Sequence, residues 1–109
     1  MTKLRYDVLL PKSKEQLEGI FYNLLKANNK HTILRIFQNY IVLEDLLSIL
    51  QNNRDIIEQF RKNNSLIILS ADFNYNQIPD FIPLVPTEEE ANDIIDFEEI
   101  ERQILIDEL

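Results

Sequence analysis

Residues 32–51 run TILRIFQNYIVLEDLLSILQ, and how this stretch is read decides the fold. Ile33, Ile36, Tyr40, Leu43, Leu47 and Leu50 follow one another at spacings of 3-4-3-4-3, a heptad seam of nearly three repeats. Phe37, Ile41, Leu46 and Ile49 widen the seam on its flanks. This spacing predicts a single helix over 32–51, the central member of a small bundle. A stripe broader than one solvent-facing helix needs also makes the Ile33–Leu50 face a candidate homodimer contact.

Upstream, Ser13-Lys14-Glu15-Gln16 fits a capping box, and Leu17, Ile20, Phe21 and Leu24 continue it at helical spacing. A helix over 13–27 follows, with Gly19 expected at a close helix–helix approach and Asn28-Asn29 in a tight turn. Before it, Leu4, Tyr6, Val8 and Leu10 alternate with other residues until Pro11, the pattern of a short edge strand over 4–10. Downstream, Asn52-Asn53 punctuates the chain and is expected to cap a helix over 53–62 with Ile56, Ile57 and Phe60 inward. Asn63-Asn64 ends that helix. Residues 65–70, SLIILS, read as a second strand whose natural mate is 4–10. The expected fold class is therefore mainly α, a small helical bundle, with an α+β variant carrying a short two-stranded ribbon.

Past Ser70 the character changes. Residues 71–86, ADFNYNQIPDFIPLVP, hold Ile78-Pro79, Ile82-Pro83 and Val85-Pro86, and each proline pushes its predecessor toward extended backbone. Phe73, Tyr75, Phe81, Ile82 and Leu84 are too apolar for a solvated linker, so the segment is expected to lie in a groove. Thr87-Glu88-Glu89-Glu90 is a second capping box, opening an amphipathic helix with Ala91, Ile94, Phe97, Ile100 and Ile104 on one broad face. The expected organisation is a helical domain over 1–72, a connector over 73–86 and an acidic helix over 87–109.

The charge is concentrated at that end. From Thr87 onward there are ten carboxylates and one base, Arg102, a balance of -9 in a chain whose total is -8. The 86 residues before Thr87 therefore sum to +1. Residues 1–62 hold ten Lys and Arg against seven acids.

Composition narrows the chemistry. There is no cysteine, hence no disulfide, thiolate metal site or Cys nucleophile. A single glycine, Gly19, excludes the glycine-rich loops of dinucleotide and P-loop sites. His31 is the one histidine, without a ligand set, and Ser13, Ser48, Ser65 and Ser70 have cap, helix or strand-end roles. Asp93/Asp96 and Glu98/Glu101 have the spacing of shared-face pairs but no calcium-loop context, so they are expected to form a solvated acidic face. No metal, no cofactor and no enzymatic activity is expected. No apolar run of leader or membrane-span length is present, so the expected location is the cytoplasm.

The expected function is a protein–protein interaction module, a regulator, adaptor or inhibitor, that contacts a basic partner. The residues expected to carry it are Phe81, Ile82, Leu84, Glu88, Glu89, Glu90, Asp93, Ile94, Phe97, Glu98, Ile100, Glu101 and Ile104. Three alternatives stand beside it. Lys26, Lys30, Arg35, Arg54, Arg61 and Lys62 are candidates for nucleic-acid binding, in an antitoxin-like regulator whose acidic tail competes intramolecularly. The tail is also a candidate mimic of nucleic-acid charge, or a structural element that folds back on its own body.

Overall fold

A computed structural model describes residues 5–27 and 30–107. Strand β1 (Tyr6–Leu9) leads to helix α1 (Lys14–Ala27), strand β2 (His31–Arg35), helices α2 (Leu43–Asn52) and α3 (Arg54–Arg61), and strand β3 (Leu66–Leu69). A 3-10 turn (Tyr75–Gln77), the two-residue strand β4 (Leu84–Val85) and the long helix α4 (Glu88–Asp107) complete it. Leu4, the Asn28-Asn29 turn and the last two residues of the acidic tail lie outside the described residues.

The described residues form an α/β fold, with four α-helices and one four-stranded parallel sheet, and this overturns the expected mainly α bundle. The 32–51 stretch is not one helix. Its first residues form β2, in which Thr32, Ile33 and Leu34 are buried; residues 36–42 turn, with Ile41 N–H donating to the Phe37 carbonyl; and only Leu43 onward is helical. β2 is the second strand of a sheet covered on both faces, and such strands read as unbroken apolar runs with no two-residue alternation. A short β-branched run of this kind, followed by a turn and a helix, reproduced heptad spacing by coincidence. The six seam residues are accordingly dispersed: Ile33 faces one side of the sheet, Ile36 and Leu50 the other, Leu43 and Leu47 are half-buried, and Tyr40 sits exposed in the turn. The continuous Ile33–Leu50 face proposed for a dimer does not form.

The expected ribbon is also corrected, because β1 and β3 are not mates. β2 runs between them, Val8 beside Ile33 and Ile33 beside Ile67, and all pairs are parallel in the order β1-β2-β3-β4. Parallel neighbours require crossover connections, which α1 and the α2–α3 pair provide. β4 shows how a proline-rich segment can join a sheet: the Pro83 carbonyl accepts from Ile68 N–H and the Val85 carbonyl from Ser70 N–H. These bonds need acceptors only, and proline retains its carbonyl.

Two apolar layers result. On one face of the sheet α1, α2 and α3 bury Leu17, Phe21, Leu46, Leu50, Ile57 and Phe60 against Leu34, Leu66 and Ile68. The segment expected to be a connector adds Phe73, Ile78, Phe81 and Ile82 to this core, so its groove belongs to its own chain. On the other face α4 sets Ala91 and Ile95 against Tyr6, Ile33, Ile67, Leu69 and Val85. The acidic helix thus folds back on its own body as one continuous helix.

Local details follow the cap chemistry. Gln16 N–H donates to Ser13 Oγ at 3.1 Å and Glu90 N–H to Thr87 Oγ1 at 3.2 Å, so both hydroxyls cap their helices, while the Gln16 side chain accepts from Lys12 N–H at 2.7 Å and not from Ser13. Asn53 is not a side-chain cap: its amide donates back to the Ile49 carbonyl at 2.8 Å. Gly19 marks no close approach among the described residues, since a Cβ built there meets nothing within 4 Å. No helix among the described residues is long and apolar enough to cross a membrane.

Candidate functional site

Helix α4 has two faces that do different things. At 100° per residue, Ala91, Ile94, Ile95, Glu98 and Arg102 share the side that meets the sheet. Phe97, Ile100 and Ile104, at i, i+3 and i+7, fall within an arc of roughly 60° on the other side.

The inner face is apolar at its start and polar at its end. α4 leaves the carboxyl end of β4 and runs back along the sheet, so its second half reaches the amino ends of β2 and β3. There Glu98, with its side chain 15% exposed, accepts from Arg61 Nη2 at 2.8 Å, Ser65 Oγ at 2.6 Å and, more distantly, Arg102 Nη2 at 3.5 Å. Arg61 also donates to the Phe81 carbonyl at 2.6 Å, and Arg102 to the Arg61 carbonyl at 3.2 Å. One carboxylate therefore ties α4 to the end of α3, the start of β3 and the segment before β4.

A second set of contacts lies beside this clasp. Arg5 pairs with Asp96 and, at 3.2 Å, with Glu99. Its hydrogen bond to Asp96 holds the guanidinium above its ordinary pKa, against partial desolvation, with Coulombic support from Asp96 and Glu99. His31 bridges: its Nδ1 accepts from Ser65 N–H at 2.8 Å, and its Nε2 lies 2.7 Å from Glu99 Oε1. An imidazole that accepts at Nδ1 carries its proton on Nε2, so here Nε2–H donates to the carboxylate. The sole histidine thus has a positioning role that its sequence neighbours do not betray.

The outer face is left to solvent. Phe97 is 62% exposed, Ile100 59% and Ile104 51%, with Asp93 and Glu101 exposed beside them. Among the described residues Glu88, Glu89, Asp93 and Glu101 have no ion-pair partner, whereas Asp96, Glu98 and Glu99 are paired with bases of the same chain.

Of the residues expected to bind a partner, the structure brings Asp93, Phe97, Ile100, Glu101 and Ile104 onto this one surface. Glu88, Glu89 and Glu90 are exposed in the first turn of α4. Phe81 and Ile82 are buried in the helix-side core, Leu84 is half-buried in β4, Ile94 is half-buried on the inner face, and Glu98 is held in the clasp. The clasp could be glimpsed in the sequence only as the i,i+4 pair Glu98–Arg102; Arg61 and Ser65 meet it, and Arg5 and His31 meet Asp96 and Glu99 beside it, through the sheet topology, which no local pattern encodes.

Four of the six candidate nucleic-acid cations have partners within the chain. Lys26 stacks on Tyr22 at 3.8 Å, Lys30 pairs with Asp7, Arg54 pairs with Glu58 and Arg61 is in the clasp. The hydrogen bond to Glu58 raises the Arg54 pKa. Lys30 and Arg35 stand at opposite ends of β2, roughly 17 Å apart.

In parallel sheets ligand crevices open where the strand order reverses, and the order of the described strands never does. Among the described residues no three His, Asp or Glu side chains converge as cation ligands. Comparison of the chain with protein-family models, curated proteins and solved structures gave no match, so its function has to be argued from this geometry.

Proposed function

We propose that the protein is a non-enzymatic interaction module that presents the outer face of α4 to a partner with a basic, amphipathic surface. The observation that carries this reading is the stripe of Phe97, Ile100 and Ile104, half or more exposed on a helix already docked by its opposite face. The fold does not need these side chains where they are: Ala91, Ile94, Ile95 and the Glu98 clasp hold the helix without them. Unpaired Asp93 and Glu101 at the rim favour cationic residues on the partner, through encounter rate and orientation more than through net affinity. Covering three half-exposed side chains contributes on the order of 1 kcal/mol each, so the stripe alone supports weak, electrostatically assisted binding.

The alternatives have less behind them. A phosphate-like charge row loses Asp96, Glu98 and Glu99 to pairs within the chain, and four of the six cations of the nucleic-acid reading are likewise engaged within the chain.

The test uses two synthetic amphipathic helical peptides with the same apolar 3-4 pattern, one flanked by Lys and one by Glu. The Lys peptide is expected to bind the full chain with an affinity that falls as salt rises, and the Glu peptide not to bind. Phe97→Ser with Ile104→Ser should abolish binding while the melting curve stays put. Equal binding by wild type and double variant, or by both peptides, refutes the assignment.

A further inference from the structure

Among the described residues β1 is an edge strand with one neighbour, so one row of its backbone groups has no described strand to pair with. The opposite edge, β4, is only two residues long and offers little to add to. Edge strands are commonly protected by lysine, internal proline or a bulge. Tyr6–Leu9 contains no lysine and no proline, and its one charge, Asp7, is paired with Lys30 at 3.7 Å. Val8 and, just beyond the strand, Leu10 are 38% and 42% exposed.

A groove runs beside this edge on the helix side, between Leu9, Leu10 and the α1 residues Gly19, Ile20 and Asn23. Gly19 has no left-handed backbone, and none of the described residues occupies the space its side chain would take. Glycine weakens a helix interior relative to alanine, and neither backbone nor packing in the isolated chain calls for it here. A notch in α1 and an open strand edge therefore lie side by side.

We propose that both are filled by a second copy of the chain: two β1 strands pair antiparallel about a two-fold axis at Val8, giving one eight-stranded sheet, with the two α1 helices meeting near Gly19. An extended peptide would satisfy the edge and leave the notch; a helix would fill the notch and leave the edge. A second copy brings a strand and a helix at the same separation, and two-fold symmetry presents each to its equivalent. With Val8 opposite its counterpart, the exposed Val8 side chains of the two copies meet, and the exposed Leu10 of each, just beyond its strand, lies opposite the buried Tyr6 of the other. Charge permits the contact. The described residues 5–27 carry four bases and three acids, whereas the tail carries -9, so this is a side on which two copies of a chain of charge -8 can approach. The contact is remote in kind from the α4 stripe and does not depend on it.

The experiment is sedimentation of the full chain from low to high micromolar concentration. Wild type is expected to move from one to two chain masses, and Val8→Lys and Gly19→Leu are each expected to raise the dissociation constant by about tenfold or more. Both substitutions point into solvent or empty space, so far-UV circular dichroism should show an unchanged fold. Phe97→Ser with Ile104→Ser should dimerise like wild type. A chain that stays monomeric overturns the proposal, as does a dimer that either Val8→Lys or Gly19→Leu leaves unmoved or that the α4 double variant dissolves.

Discussion

Replacing Glu98 by alanine tests whether α4 is held by its polar clasp or only by its apolar face. Glu98 accepts from two arginines and a serine, and its side chain is 15% exposed while those of Arg61 and Arg102 are 27% and 20% exposed. A charge-assisted hydrogen bond contributes roughly 1.5–3 kcal/mol, and here the Arg61 bond is short while the Arg102 contact at 3.5 Å adds little. Removing one partner of a fully buried ion pair costs about 3–5 kcal/mol, because the other charge is left uncompensated. The partial exposure of both arginines places Glu98→Ala below that, at about 2–4 kcal/mol. Stability for a chain of this length is on the order of 5–15 kcal/mol, so the loss is a large fraction of the whole. It should appear as a fall in Tm of roughly 10–20 °C.

The assay is thermal and denaturant unfolding followed by circular dichroism, with Glu101→Ala as control. Glu101 is exposed on the outer face, and its substitution should stay within about 0.5 kcal/mol of wild type. Glu98→Gln keeps an acceptor for the Ser65 hydroxyl but loses the charge, so it should fall between the two. A Glu98→Ala protein within about 0.5 kcal/mol of wild type would refute the clasp and leave Ala91, Ile94 and Ile95 as the whole of the attachment.

Three further outcomes are expected. His31→Ala removes the acceptor of the buried Ser65 N–H, which should cost about 1–3 kcal/mol in a melt, and an unchanged melt would show that water substitutes freely there. Gly19→Ala, measured in a Val8→Lys background to keep association out of the comparison, should stabilise by about 0.5–1 kcal/mol, because the added methyl meets open space in an α-helical backbone. A chain cut after Pro86 should lose cooperative unfolding and bind a hydrophobic dye, since Ile33 and Ile67, fully buried, and Leu69 would lose their cover; a sharp, dye-free transition would show that the sheet stands without α4.

The elements announced by local chemistry were legible. Ser13 and Thr87 cap where the boxes place them, Asn63-Asn64 stops α3, and the apolar run 66–69 is a strand. What the sequence hid was non-local. In β2 and β3 both faces are buried, so neither carries the alternation that marks a strand, and β2 leads into a helix whose leucines extend its spacing into a false heptad. Two signals argued for the break: the β-branched Thr32, Ile33 and Ile36, and Glu44-Asp45, acids placed as in the first turn of a helix that begins at Leu43. β4 carried no signal, being two residues between prolines whose place depends on β3 beside it.

The same non-local logic revises what the acidic tail is. Read as sequence, Ala91, Ile94, Phe97, Ile100 and Ile104 make one broad apolar face with carboxylates around it. The fold divides that set: Ala91, Ile94 and the neighbouring Ile95 turn to the sheet, while Phe97, Ile100 and Ile104 turn to solvent. The acids divide in the same way, Asp96, Glu98 and Glu99 locking the helix to Arg5, His31 and Arg61 while Asp93 and Glu101 remain at the rim. Deleting the helix would therefore remove the sheet's cover together with the proposed docking surface, and lost binding in such a deletion would not distinguish an interface from an unfolded protein. Point substitutions on the outer stripe leave the inner face and the clasp intact, so a change in binding there reports on the partner surface alone.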